Sequence, residues 1–346
     1  MEYQNLGDSG LKISKIIVGC MSYGDKKWAD WVIEDEEKIF KIMKKCYDNG
    51  IRTFDTADVY SNGKSEELLG KFIKKYSIPR DKIVILTKLF FPVDNVTPGF
   101  KLSNYKTEFP AFEYINSQGL SRKHIFEAAA KSVERLGTYS DVLQIHRLDR
   151  STPKAEIMRA LNDVVLQGLT RYLGASTMRA TEFAQLQFIA EKNGWFKFIS
   201  MQNYYNLLYR EEEREMIPFC NDSDLGKVGL IPWSPNARGI LTRPLSQQSD
   251  TRSAASDKTQ TSLGLDALSD ADKATIERVE SVAKEIGVSM AVVATAWVIS
   301  KGCAPIVGLN SEERVDDIIK AVQTKLTPEQ IEFLEGAYVS KAVVGI

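Results

Sequence analysis

What most constrains this chain is a repeated pattern. Eight short apolar, β-branched stretches lie at 16–21, 52–56, 82–89, 141–146, 172–176, 198–203, 229–234 and 304–309. Segments of helical period fill the intervals, at 34–49, 65–76, 121–136, 153–167, 179–193, 210–223, 290–300 and 311–322. Strands alternating with helices make parallel βαβ units, because a parallel neighbour can be reached only by a crossover, and eight such units close into a barrel. An open doubly wound sheet is the competitor, but it carries a Gly-rich phosphate turn after its first strand. The turn here reads Val18-Gly19-Cys20-Met21-Ser22-Tyr23-Gly24, which lacks the GxGxxG spacing. The expected fold is an α/β (β/α)8 TIM barrel.

Additions to the repeat are also legible. Residues 3–14 read as a hairpin turning at Gly7-Asp8-Ser9-Gly10 and lidding one end of the barrel. Extra helices are expected at 270–286 and 327–338, the second opened by the capping box Thr327-Pro328-Glu329-Gln330. Two connections are long, 90–119 after the third strand and 235–269 after the seventh, and in a barrel both hang over the C-terminal face that carries active sites. The first is aromatic-rich and reads equally as a substrate wall or as a loop packing on itself. The second carries Arg238, Arg243 and Arg252, which cannot all be ligands of one phosphate. A length of 346 residues is ordinary for one barrel, so 1–346 is read as a single domain.

Composition narrows the function classes. Hydrophobic residues at 43% and charged residues at 26% give a large core and argue against disorder. Lys plus Arg number 45 against 46 Asp plus Glu, so no overall field recruits nucleic acid or an anionic membrane. Cys20, Cys46, Cys220 and Cys303 are far apart, without a CxxC pair, which argues against zinc or a disulfide framework and for reduced thiols. The polar start MEYQNLGDSG resembles neither a signal nor a transit peptide, and no apolar run reaches membrane-spanning length. The expected address is the cytosol, with nuclear access allowed.

Polar residues at strand C-termini converge on one site in a barrel. They include Asp55 and Tyr60 after strand two, Lys88 at strand three and His146 at strand four. Lys88 ends an apolar strand and is costly to bury without a carboxylate, for which Asp55 is the natural partner. A purely structural pair is the ordinary alternative. A lysinium beside a phenol favours the phenolate and is expected to lower the Tyr60 pKa from about 10 toward working pH, while His146 donates to a substrate oxygen. Such a set gives a proton to a carbonyl. It has too few ligands for a metal and no hydride, which implies a nicotinamide cofactor.

These residues carry a resemblance. Phe54-Asp55-Thr56-Ala57-Asp58-Val59-Tyr60, Ser65-Glu66-Glu67-Leu68-Leu69-Gly70, Thr87-Lys88, Ile145-His146-Arg147-Leu148-Asp149, Leu173-Gly174-Ala175-Ser176, Gln202-Asn203-Tyr204-Tyr205-Asn206 and Trp233-Ser234-Pro235-Asn236-Ala237-Arg238-Gly239 occur in order. The chain resembles the aldo-keto reductases across its whole length and is most similar to the fungal aryl-alcohol dehydrogenase-like branch, with kinship to potassium-channel β subunits. The resemblance implies a tetrad of Asp55, Tyr60, Lys88 and His146, with Tyr60 as proton donor. It implies that Ser176 and Gln202 hold the nicotinamide carboxamide and that Trp233 stacks on the ring. It places the run Trp233, Ser234, Pro235, Asn236, Ala237, Arg238, Gly239 to Arg243 along the pyrophosphate and Arg314 on a 2′-phosphate, which favours NADP(H) over NAD(H).

Four positions depart from the family pattern. Thr177 stands where an Asn commonly follows the Ser, Asn236 where a Leu is expected, Ile318 where an adenine-binding Asn is common, and Gly308 where some branches carry Lys. The expected consequence is a weaker cofactor grip. Other residues have bland readings: Asp58 as a turn or cap residue, His124 as a solvated or end-of-helix histidine, and Glu211-Glu212-Glu213-Arg214-Glu215 as a solvated helix start. The expected function is NADPH-dependent, reversible reduction of aldehydes, aryl ones above all, to alcohols. The partner is then a small-molecule aldehyde or alcohol, with no nucleic acid and no membrane, and oligomeric state is left open. The alternatives are an NADPH-binding redox-sensing regulatory subunit with slow turnover and, further off, a carboxylate-based barrel hydrolase.

Overall fold

A computed structural model describes residues 1–97, 100–250 and 258–345; the omitted positions fall in the two long loops and at 346. The chain opens with an antiparallel hairpin of β1 (Tyr3–Asn5) and β2 (Lys12–Ser14), followed by β3 (Ile17–Gly19), α1 (Glu36–Asp48), β4 (Thr53–Asp55), α2 (Lys64–Lys75) and β5 (Val84–Leu89). The third-strand loop holds the single turn α3 (Tyr105–Glu108) before α4 (Arg122–Leu136), β6 (Ser140–Ile145), α5 (Lys154–Leu166), β7 (Thr170–Ser176) and α6 (Ala180–Asn193). Then come β8 (Phe198–Gln202), α7 (Met216–Asn221), β9 (Gly229–Leu230), α8 (Lys258–Ser262), α9 (Asp270–Ile286) and α10 (Met290–Ser300). The last elements are β10 (Ile306–Gly308), α11 (Glu312–Gln323) and α12 (Pro328–Glu335).

The eight strands β3 to β10 pair in parallel in the order β10-β3-β4-β5-β6-β7-β8-β9. The sheet closes on itself: Ala304 N donates to Leu230 O and Ile306 N to Pro232 O, both at 2.9 Å, and Trp233 bridges Ile306. This is the (β/α)8 barrel the pattern predicts, helices outside with their apolar faces against the strands. The hairpin plugs one end, where Leu6 and Ile13 pack with Ile17, Leu86, Val142, Ile231 and Ala304. Its turn is tight enough to demand glycine, since a Cβ on Gly7, at φ +61°, would lie 2.5 Å from Lys227 O. Ser121, Ser269, Ser289 and Thr327 accept from the backbone N–H three residues on, caps that contribute about 1 kcal/mol each.

Several expected elements are shorter than the pattern suggests, and in two of them a proline is the reason. The helix expected at 210–223 forms only as α7 after a 3-10 turn at Glu211–Glu213, because the ring of Pro218 is tolerated only within the first turn of a helix. The strand expected at 229–234 is reduced to β9, because Pro232 has no N–H to give the ladder and Ser234 turns to φ 53°.

The acidic run 211–215 is also no solvated face. Glu211 accepts from Tyr338 Oη at 2.7 Å and Lys341 N at 2.8 Å, and Glu213 from Arg210, so this run anchors the segment after α12. Glu212 is 9% exposed, and burial pushes its carboxyl up to about 7.

Candidate active site

Four strand ends meet at the C-terminal mouth of the barrel. Asp55 ends β4, Lys88 is the penultimate residue of β5, Gln144 that of β6, and Gln202 ends β8; none is more than 3% exposed. Side chains alternate along a strand, and the register that pairs Lys88 with Gln144 and Gln144 with Gly174 turns this set inward. Gly174 makes the room, since a Cβ there would lie 2.8 Å from the Gln144 Cγ. Lys88 Nζ spends its three donors on Asp55 Oδ1 at 2.5 Å, Thr56 O at 2.9 Å and Tyr60 Oη at 3.3 Å. Asp55 Oδ2 accepts from the side-chain amides of Gln144 and Gln202, both at 2.9 Å. The Gln202 amide also donates to Gln144 Oε1 at 2.8 Å, so its own carbonyl oxygen is the end left for the cleft that Gln202 lines.

The loop after β4 carries Tyr60 over this base. Its hydrogen bonds with α2 hold it: Ser65 Oγ donates to Cys20 O and contacts Thr56 Oγ1, both at 2.9 Å. Because Lys88 donates to the phenol oxygen, the phenol hydrogen is free to point elsewhere. The His146 ring stands edge-on to Tyr60 with centroids 5.8 Å apart, and Phe91 lies 5.3 Å from it on another side. Burial, then the Lys88 and Arg147 cations, hold the imidazole well below its ordinary pKa. A neutral ring has one donor and one acceptor nitrogen. Nδ1 is buried without a partner among the described residues, which leaves Nε2 to serve the cleft.

The expected direction of the Tyr60 shift is corrected. Burial raises the phenol pKa above its usual value, and although Lys88 pulls it down, the Asp55 carboxylate behind the lysine pushes it up again. Lys88 itself stays charged: burial opposes the ammonium, but Asp55 and Tyr60 outweigh it. Desolvation, which the sequence does not display, decides the sign.

From this base a cleft of about 1540 Å³ runs across the barrel mouth. Asp55, Tyr60, His146, Ser176, Gln202, Trp233, Ser234, Pro235, Asn236, Arg238, Gly239, Arg243 and Arg314 line it, with Lys88 beneath the floor. Ala237 does not: its side chain is fully buried in the core. Trp233 stacks on Tyr204 at 4.5 Å, and Tyr204 on Tyr209 at 4.7 Å, which fixes the indole plane. Thr177, at the first departure from the family pattern, accepts the Trp233 indole N–H at 3.1 Å. Asn236 accepts from Thr295 Oγ1 at 3.3 Å, and Ile318 is a core residue of α11.

The loop after β9 is strained, with Ser234, Ala237 and Arg238 at φ 53°, 45° and 54°. At the far end Arg243 and Arg314 stand close enough that Arg243 helps lower the Arg314 pKa, after desolvation, and neither forms an ion pair among the described residues. Arg252 lies outside the described residues.

Some residues were missed from sequence. Gln144 reads as an ordinary strand residue, because its partners are 89 and 58 positions away. Trp28 and Trp31, from the loop after β3, line the cleft, Trp28 edge-on to Tyr60 at 6.2 Å; two tryptophans in a βα-loop were the available signal. The aromatic loop divides between its two readings: Phe100, Tyr105, Phe109 and Tyr114 pack on one another, whereas Phe91 and Leu102 face the cleft. His124 does sit in the first turn of α4 but is 5% exposed, its Nδ1 against Gly119 O at 2.9 Å. Asp58 is buried without a side-chain partner among the described residues, and burial followed by the nearby Glu66 pushes its pKa well up. Among the described residues no group of three or more His, Cys, Asp or Glu is placed to hold a metal ion, and no single helix is long and apolar enough to cross a membrane.

The model of the Aldo/keto reductase family matches residues 15–339. A Saccharomyces cerevisiae protein provisionally named an aryl-alcohol dehydrogenase is 59% identical over 336 residues, 96% of this chain and 96% of the relative. A Schizosaccharomyces pombe protein with the same provisional name is 56% identical over 347 residues, 99% of this chain and 97% of its own. Versiconal hemiacetal acetate reductase of Aspergillus parasiticus is 55% identical over 351 residues, 99% and 98% of the two chains.

Proposed function

The chain belongs to the aldo/keto reductase family and is an oxidoreductase, and from that premise we propose that it reduces aryl aldehydes to alcohols with NADPH, Tyr60 giving the proton. One observation carries this reading: Lys88 commits all three donors to Asp55, Thr56 O and the Tyr60 oxygen, which turns the phenol hydrogen out beside His146. Neutral His146 offers an N–H that fixes the carbonyl oxygen within reach of the phenol, and Tyr60 protonates that oxygen as its charge develops. When bound, the reduced nicotinamide supplies the hydride.

The residues fit the cofactor. The Gln202 carbonyl oxygen and the Ser176 hydroxyl suit a carboxamide, and Trp233, braced by Tyr204, offers a flat face to a pyridine ring. Arg243 and Arg314 are neighbouring cations with no direct ion pair among the described residues, Asp317 acting on Arg314 only from a distance, the arrangement a phosphomonoester would complete. That pair is the basis for NADPH over NADH. For the substrate, the cleft wall around Tyr60 is Trp28, Val59, Phe91 and Leu102, and two relatives are named for aryl alcohols.

The test is to mix purified protein with NADPH and a benzaldehyde and follow nicotinamide absorbance. Multiple turnovers, faster than with aldose sugars, are expected. Tight NADPH binding without turnover would favour a regulatory, redox-sensing role, and absence of NADPH binding would overturn the reading.

A further inference from the structure

Arg147 is a cation of the cleft that the reduction does not use and that stands beside its apolar wall. Arg147 follows His146 just past the end of β6, and its Nη1 donates to the His146 carbonyl at 2.6 Å. That bond occupies one of five guanidinium donors. Arg147 makes no ion pair among the described residues, and it lines the cleft together with Trp28, Val59, Phe91 and Leu102. It stands apart from the arginines of the phosphate end. Those reach in from the loop after β9 and from α11, while β6 lies on the opposite side of β7 and β8 from β9.

A half-buried guanidinium without a counter-ion is an unusual wall for an apolar pocket, because desolvating a charge is costly unless an anion answers it. Burial draws its pKa down, with the Tyr60 phenol as the opposing influence. Its fork is tethered by the main chain, so part of the ordering that bidentate binding needs is already done.

We propose that Arg147 is a substrate-anion subsite, taking a carboxylate carried by the aldehyde, so that the favoured substrates are carboxylated aryl aldehydes. This rests on the aldehyde-reductase reading. The apolar wall takes the ring, His146 and Tyr60 take the carbonyl, and the guanidinium takes the carboxylate.

The probes are 4-carboxybenzaldehyde and its uncharged counterpart, methyl 4-formylbenzoate, measured with wild type, Arg147→Leu and Arg147→Lys. In wild type the acid is expected to lead the ester in kcat/KM by about 10- to 100-fold, carried by KM. In Arg147→Leu that ratio falls to near one, and Arg147→Lys retains part of it. Equal use of acid and ester by wild type, or a ratio unchanged in Arg147→Leu, would overturn the proposal. A parallel titration of the protein with 4-carboxybenzyl alcohol and its methyl ester, followed calorimetrically, separates the two readings. If neither aldehyde turns over but the acid still binds more tightly than the ester through Arg147, the reductase reading falls and the subsite stands. If acid and ester bind alike, the subsite falls.

Discussion

The two ends of the cleft are built on different principles. At the barrel end, Asp55, Lys88, Gln144 and Gln202 sit on strands, are almost wholly buried, and hold one another through direct hydrogen bonds. At the far end, Arg243 and Arg314 reach in from a loop and a helix and form no ion pair among the described residues. Proton transfer needs atoms held to a fraction of an ångström, and a sheet supplies that. Gripping a phosphate needs charge that can adapt, and a long side chain on a looser element supplies that. One end should therefore fail sharply and globally when altered, the other gradually and locally.

The largest effect is expected at the buried end. Lys88→Met leaves Asp55 as an unpaired buried carboxylate and is predicted to cost about 3–5 kcal/mol of stability and to abolish turnover, read by denaturant unfolding and by NADPH consumption. Lys88→Met combined with Asp55→Asn should recover much of the stability and none of the activity, because the uncompensated charge is gone but the proton donor's partner is still missing. If the single variant unfolds like wild type, the two ends do not differ as described.

A smaller, local effect is expected from Arg314→Ala. NADPH affinity should fall by about 10- to 100-fold, with NADH affinity and melting temperature nearly unchanged, in a fluorescence titration. Equal loss for both dinucleotides would remove the phosphate assignment.

The smallest effect is on pH. With the Tyr60 phenol raised by burial, the protonated form needed for reduction persists well above neutrality, and neutral His146 adds no step near its ordinary pKa. The reduction rate should be nearly flat from about pH 6 to 9. Alcohol oxidation needs the phenolate and should rise roughly tenfold per pH unit over that interval. A reduction rate that falls from about pH 7 would mean that Lys88 outweighs burial after all.

The same contrast governs what the amino-acid sequence discloses. The eight strands stand out because both of their faces are buried, so they read as unbroken apolar runs. Asp55, Lys88 and His146 stand out because a charge or an imidazole ends such a run. Gln144 does not, for an amide in a strand is unremarkable until its partners arrive from β4 and β8. Arg147 is equally silent, and Trp28 is signalled only by its pairing with Trp31 in one loop, because which loop residues face a cleft depends on loop geometry that no period encodes. The sign of the Tyr60 shift is not legible, because motifs disclose its charged neighbours but not its depth of burial. Pro218 and Pro232 mark two places where a hydrophobic pattern promises more regular structure than backbone chemistry allows.

The most direct test of Tyr60 as the proton donor is the rate of NADPH consumption with a benzaldehyde by Tyr60→Phe, measured beside its NADPH binding. Turnover lower by about 10²- to 10⁴-fold, with binding retained, is the predicted result. Turnover within a few-fold of wild type would contradict it.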